Sequence, residues 1–358
     1  MTQKRWAKNF IRIEPYRAGE QPASDDVIKL NANENPYPPA PGVEAALRAV
    51  KTEGLRRYPQ ADGTDLRRAL AAQHGLDPAC VFVANGSDEV LALAFRSFFN
   101  SKKPVLFPDV TYSFYPVWCE LFGIPYRRTA LDGDFRIRPQ DYAAENGGAV
   151  LANPNAPTGI ALRPAEIERI LSSNPASVVI VDEAYVDFGA ASSVKLISKY
   201  ENLLVTQSFS KGRALAGLRL GMAFGCAELI AVLGAVKNAF NSYPVDSVAA
   251  AAGIASLADG AYFARRAAQV IATRERTAAA LHDMGFSMTD SAANFLFVTR
   301  AGLDAAALLA HLKGRGILVR HFSQPGIDAY LRITVGTDDE MRALLKAVSD
   351  FLREKEIR

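Results

Sequence analysis

Short apolar runs that do not alternate recur through the first two thirds of the chain, at residues 81–84, 104–107, 149–152, 178–181, 203–205 and 221–224. Strands that are apolar on both faces belong to a mostly parallel sheet covered above and below. Stretches with helical periodicity separate them, so the pattern predicts a three-layer α/β unit. After about residue 250 the texture changes. An Ala/Arg-rich helix over 261–284 leads to a strand at 294–298, a helix at 303–315, and strands at 317–320 and 330–335. Thr337-Asp338-Asp339-Glu340 reads as a capping box opening a last helix. Along that helix Met341, Leu344, Leu345, Val348 and Phe351 recur at the spacing of a buried stripe. The pattern predicts a large α/β domain over 36–250 and a smaller α+β domain over 251–358. Residues 1–35 join the smaller one through the turn-rich stretch 30–39.

With 358 residues, 49% hydrophobic and 22% charged, the chain has an ordinary globular composition. Its net charge of +3 is spread without long runs, which argues against nucleic acid or an anionic membrane as partner. The doubled arginines Arg56-Arg57, Arg67-Arg68 and Arg127-Arg128 read as solvated faces. Three scattered cysteines, Cys80, Cys119 and Cys226, have neither a bridge framework nor metal-ligand spacing. They favour a reducing compartment, so a cytoplasmic protein is expected. The first residues mix charge and apolarity, unlike a signal peptide or a membrane span. Of the four histidines, only His321, next to Arg320, is a candidate for a place near a substrate.

The most informative segment is Ser208-Phe209-Ser210-Lys211, with Arg219 eight residues beyond the lysine. A lysine ending a buried strand is costly unless it has a partner or a covalent task. The preceding apolar run ends in Asp182-Glu183-Ala184-Tyr185. An amine and a carboxylate at the ends of successive strands suit a charged heteroaromatic cofactor. Pyridoxal 5'-phosphate fits: an aldehyde for the lysine, a ring nitrogen for the aspartate, a phosphate for the hydroxyls and arginine. Gly86, between a strand and a helix start, permits close approach of a phosphate to free N–H groups. An aromatic in Thr111-Tyr112-Ser113-Phe114-Tyr115 could stack on the ring. The proline-rigid turn Asn153-Pro154-Asn155-Ala156-Pro157 could offer an amide to the cofactor's phenolic oxygen. Arg332 alternates with Leu331 and Ile333, and an arginine projecting from a strand suits an anion.

In this order the segments resemble the class I/II group of fold type I aminotransferases. The likeness also includes Leu30-Asn31-Ala32-Asn33-Glu34, Arg57-Tyr58-Pro59 and Leu331-Arg332-Ile333-Thr334-Val335-Gly336-Thr337, and covers nearly the whole chain. It implies the fold type I PLP-transferase architecture. Lys211 would bond the cofactor aldehyde and move protons, Asp182 would face the pyridine nitrogen, Tyr185 the phenolic oxygen, and Tyr112 the ring. Gly86, Ser87, Asp88, Ser208, Ser210 and Arg219 would hold the phosphate, with Tyr58 reaching it from the second subunit of a homodimer. Tyr16, Asn33, Arg320 and Arg332 would bind substrate. The turn departs from the group's usual Asn-Asn-Pro-Thr-Gly: Ala156 replaces the second asparagine, so Asn155 must substitute or the bond is missing. The two terminal motifs point to the subfamily that transaminates histidinol phosphate with 2-oxoglutarate. Transamination of aromatic amino acids and decarboxylation of phosphothreonine are the alternatives on this fold, and a regulator that keeps the fold only to bind is a further one.

Overall fold

The computed structural model describes residues 5–16, 19–22 and 26–355. A two-residue strand, β1 (Ile28–Lys29), comes first. Seven strands then build the central sheet: β2 (Val81–Asn85), β3 (Val105–Pro108), β4 (Tyr126–Thr129), β5 (Gly148–Ala152), β6 (Val179–Asp182), β7 (Leu203–Ser208) and β8 (Leu220–Phe224). Their order is β2-β8-β7-β6-β5-β3-β4, and only β8 runs against the rest. β5, β6 and β7 are buried throughout, as expected of strands covered on both faces. The hydrophobic and polar pattern did not reveal β4. It is an edge strand whose Arg127 and Arg128 are exposed, so it carries no apolar run to detect.

The helices on this sheet are α1 (Pro41–Arg48), α2 (Thr64–His74), α3 (Ser87–Phe98), α4 (Phe114–Phe122), α5 (Pro164–Ser173), α6 (Ala227–Phe240) and α7 (Ser247–Ala258). They split the interior in two. One cluster, including Leu66, Leu151, Ile167 and Ala252, lies on one face of the sheet. The other, including Phe95, Phe107, Trp118 and Leu233, lies on the opposite face. Arg67, expected to be solvated, instead donates from Nε to the Val81 carbonyl at 2.8 Å and from Nη2 to the Pro78 carbonyl at 2.7 Å. It fastens α2 to the start of β2, and only its neighbour Arg68 is exposed.

The long helix α8 (Gly260–Asp283) leads to the second unit: β9 (Ser287–Met288), β10 (Phe295–Thr299), α9 (Ala305–Gly314), β11 (Ile317–Leu318), β12 (Arg320–His321), β13 (Leu331–Thr334) and α10 (Asp338–Glu354). β12-β13-β10-β9 form an antiparallel sheet, and β11 pairs in parallel with β1. The strand expected at 317–320 is therefore two short strands serving different sheets. Thr337 and Glu340 close the anticipated capping box, with Thr337 N–H donating to Glu340 Oε2 at 2.7 Å. Leu30 packs among Leu296, Leu308, Ile333 and Leu344, so the N-terminal segment shares this core. The expected boundary at 250 falls inside α7, whose Ala249 and Ala252 pack in the core of the seven-stranded sheet. Among the described residues, no single helix is long and apolar enough to cross a membrane.

Candidate active site

The carboxyl ends of β5, β6 and β7 open into a cavity of about 240 Å³, closed from the other side by residues 31–34, β12 and β13. In open α/β sheets the strand ends are where ligands are received. Every expected site residue lines it except Gly86, Asn155 and Tyr58.

Asp182 ends β6 and is 5% exposed. Its Oδ2 accepts from Tyr115 Oη at 2.9 Å and its Oδ1 from Thr206 Oγ1 at 3.3 Å. Burial raises its pKa to about 6 against those two hydrogen bonds. Neither partner was anticipated. Thr206 sits directly opposite Asp182 in the β6–β7 register, and Tyr115 is fully buried and must spend its hydroxyl on something. The adjacent Glu183 points to the opposite face, as alternation along an extended chain requires. It accepts from Ser192 Oγ, Ser193 N–H and Gln207 Nε2, and fastens a loop instead of serving the cavity.

Lys211 follows β7, and its Nζ donates to the Ala32 carbonyl at 2.9 Å, 5.8 Å from the centre of the Tyr185 ring. Burial, with Arg332 and Arg219 nearby, lowers its pKa to about 8; Glu34 and Asp88 oppose this. An amine so placed gives up its proton near neutrality, as a nucleophile or general base must. Tyr185 Oη accepts from Asn33 Nδ2 at 3.0 Å. Asn33, expected to bind substrate, is 1% exposed and has φ +55°, with its side chain committed to Tyr185 and to Thr334 Oγ1. It orients the tyrosine, and its place in the cavity wall leaves little of it to offer a ligand.

At the start of α3, Gly86 takes φ +86°, and a Cβ there would come within 2.6 Å of Arg219 Nη2. Glycine is thus required by backbone conformation, and a Cβ there would push the Arg219 guanidinium aside. Asp88 contributes differently from expectation. Its two carboxylate oxygens accept from Tyr112 Oη at 2.9 Å and Arg219 Nη2 at 3.2 Å. A carboxylate would repel a phosphate, so this side chain aims the arginine and the tyrosine, while the N–H groups of the helix start remain for the anion. Ser208 and Ser210 are both 6% exposed, and Ser208 Oγ accepts from Ser210 N–H at 3.1 Å.

Arg320 and Arg332 line the same cavity, each within 6 Å of the Phe322 ring centre (5.9 and 5.8 Å). Arg332 Nη2 donates to the Asn31 carbonyl at 3.0 Å, but its buried Nε has no partner among the described residues. A buried guanidinium with an unspent donor is built for an anion. Tyr16, stacked on Phe114 at 4.3 Å, borders it too.

The geometry at Asn155 differs from the one expected. Asn155 spends both amide hydrogens on the Val110 carbonyl (2.9 Å) and Thr158 Oγ1 (3.0 Å), and its Oδ1 accepts from Thr111 at 2.7 Å. It stabilises the turn and does not replace the amide missing at Ala156, which lines the cavity. Tyr58 lies outside its own chain's cavity, 81% exposed and stacked on Tyr243 at 4.6 Å. His321 Nε2 pairs with the Asp328 carbonyl at 2.7 Å and does not border the cavity.

The family described as Aminotransferase class I and II matches residues 25–348. The chain is a class I and II aminotransferase. A relative named histidinol-phosphate aminotransferase from Lactococcus lactis subsp. cremoris is 50% identical over 351 residues, 98% of this chain and 99% of that one. Among solved structures, a histidinol-phosphate aminotransferase from Sinorhizobium meliloti in complex with pyridoxal-5'-phosphate superposes with a TM-score of 0.84 at 25% identity. That match covers 92% of this chain and 91% of that one. An L-threonine-O-3-phosphate decarboxylase from Porphyromonas gingivalis (TM-score 0.80, 22% identity, 91% and 100% covered) shares the fold. The cofactor of this aminotransferase is pyridoxal 5'-phosphate, and the cavity fits it. It offers an amine for the aldehyde and a buried carboxyl for the ring nitrogen. For the phosphate it offers hydroxyls, an arginine and a helix start at Gly86, where a Cβ would push into Arg219.

Proposed function

We propose that this enzyme interconverts histidinol phosphate and imidazole-acetol phosphate, with 2-oxoglutarate and glutamate as the second pair, in histidine biosynthesis. One observation carries the substrate reading: Arg332 and Arg320 line the same cavity as Lys211, with the Arg332 Nε unspent among the described residues. A phosphate borne by the amine substrate would be received there.

When bound, the cofactor supplies an aldehyde that condenses with amines and a protonated ring that accepts the electron pair released at the substrate carbon. Asp182, held in place by Tyr115 and Thr206, keeps the ring-nitrogen proton in position. Lys211 Nζ takes the proton from the substrate Cα and delivers it on the cofactor side. Its lowered basicity suits both transfers. Tyr185, oriented by Asn33, gives its hydroxyl to the phenolic oxygen, a site where Ala156 brings no amide. Ser87, Ser208, Ser210, Arg219 and the α3 start hold the cofactor phosphate. Arg320, Arg332 and Tyr16 grip the substrate anion and hold the reacting carbon against the lysine.

In this reading two copies form a homodimer, and Tyr58 of each reaches the partner's phosphate site; its exposure and its rigid stack on Tyr243 support this. The chain divides into a large PLP-binding unit and a small unit that includes the N-terminal segment, with the seam after α7. Three free thiols suit a cytoplasmic location. The deciding experiment incubates holoenzyme separately with histidinol phosphate, phenylalanine and phosphothreonine, following cofactor absorbance and products. Selective conversion of histidinol phosphate to its ketone is expected. Preferred turnover of phenylalanine, or carbon dioxide from phosphothreonine, would overturn the assignment.

A further inference from the structure

We propose that Asn35, which lies outside the cavity, is a positioning residue for Lys211. The local sequence dictates the geometry. Asn35 precedes Pro36, which keeps its backbone extended, and its Oδ1 accepts from Tyr37 N–H at 3.0 Å, a turn typical of asparagine. Because an N–H can only donate, this contact fixes which end of the amide is oxygen. The Nδ2 end is thereby turned toward the chain around the lysine. It donates to the Lys211 carbonyl at 2.9 Å and the Gly212 carbonyl at 3.2 Å.

A second group walls the same stretch of chain. A Cβ at position 212 would overlap the carboxylate of Asp187, so that group fills the space a side chain would need. The backbone bearing the lysine is therefore held between an amide clamp and a carboxylate wall. Three residues before the clamp, the Ala32 carbonyl receives the lysine's Nζ. One short segment thus fixes Lys211 at both ends, at its main chain through Asn35 and at its amine through Ala32.

A flexible four-carbon side chain is only as well placed as the backbone it leaves. A misplacement of about 1 Å at a reacting group can cost about a hundredfold in rate. The groups that set the basicity of Nζ face it from several elements: Arg332 from β13, Arg219 from before β8, Glu34 from the N-terminal segment and Asp88 from α3. Releasing the clamp lets the amine leave this environment.

The inference rests on the proposed function of Lys211, and the test separates the two. Asn35→Asp keeps the bond from Tyr37 N–H, deletes the two donations and adds a charge that by itself raises a nearby amine's pKa, so the uncharged variants decide: Asn35→Ala deletes all three bonds and Asn35→Ser restores one short donor. Competitive acetylation of the apoprotein, read by mass spectrometry of the Lys211 peptide across pH, reports the amine directly. The wild-type midpoint should fall near 8, with Asn35→Asp and Asn35→Ala shifted upward and Asn35→Ser between. In the holoenzyme, kcat should fall about tenfold to a hundredfold with KM within about twofold. An unshifted midpoint with kcat within about twofold of wild type, in whichever uncharged variants fold, would overturn the role of Asn35. Borohydride reduction of wild-type holoenzyme checks the parent reading. If label is absent from Lys211 there, that reading fails, while the acetylation midpoint still decides the clamp.

Discussion

Asp182→Asn should make the cofactor-free protein more stable while abolishing catalysis. The carboxyl group is buried at the end of β6, and burial raises its pKa from 3.8 to about 6. A group whose folded pKa is raised contributes stability that is fully present below its unfolded pKa and is lost as pH rises through the folded one. From about 3.8 to about 6 the burden grows with pH and reaches about 3 kcal/mol above that window, at 1.36 kcal/mol per unit. Near pH 5 it is about half as large. Asparagine has the same shape. Its oxygen can accept from Tyr115 Oη, and its amide can donate to Thr206 Oγ1, so both contacts survive with one direction reversed. Urea unfolding of the apoproteins should therefore show the variant ahead by about 3 kcal/mol near pH 8, less near pH 5, and level with wild type below pH 4. In the presence of cofactor the ranking should narrow or invert, because only the carboxylate pairs with a protonated ring nitrogen. Turnover should fall by about a thousandfold or more, the scale of a lost electrostatic contact to the reacting system. The reasoning is refuted by an asparagine variant no more stable than wild type near pH 8, or by an advantage that does not shrink on acidification.

Lys211→Ala should abolish turnover and the visible absorbance of lysine-bound cofactor; near-normal transamination by this variant would remove the central assignment. Gly86→Ala places a Cβ against Arg219 in a backbone region disfavoured for other residues, at a cost of about 1–3 kcal/mol, and should weaken cofactor retention in dialysis about tenfold or more. Unchanged retention would show that Arg219 and the α3 start do not hold the phosphate. Tyr58→Phe should loosen cofactor more mildly, and mixed dimers of Lys211→Ala with Tyr58→Phe should recover part of the activity; no rescue at all would count against shared sites.

The elements that carry chemistry were readable because each ends an apolar run with a residue that does not belong in one. Asp182 and Lys211 stood out on that ground, and both face one cavity. Side-chain partners were not readable. Asn33, implied by the resemblance, and Asn155, read from its turn, look like ligand contacts, yet the folded chain spends their amides on Tyr185 and on the turn itself. Asparagine serves ligands and backbone equally well, and only the geometry tells which. Tyr115 and Thr206 were missed because their role comes from strand register and a helix position, which one sequence does not display. Arg67 looked solvated because a doubled arginine usually is, but a guanidinium can also close off two main-chain carbonyls. β4 lacks any apolar period and is a strand only because β3 offers it an edge.

The hydrogen bonds from Arg332 to the Asn31 carbonyl and from Asn33 N–H to Thr334 Oγ1 each join positions 301 residues apart. While such a polypeptide is being synthesised, its lysine, aspartate and phosphate turn all emerge long before β13 does. Until then the segment 31–35 lacks its two bonds to β13, and the floor under the lysine is incomplete. A cofactor arriving early meets separate fragments of its seat, and β13 completes it.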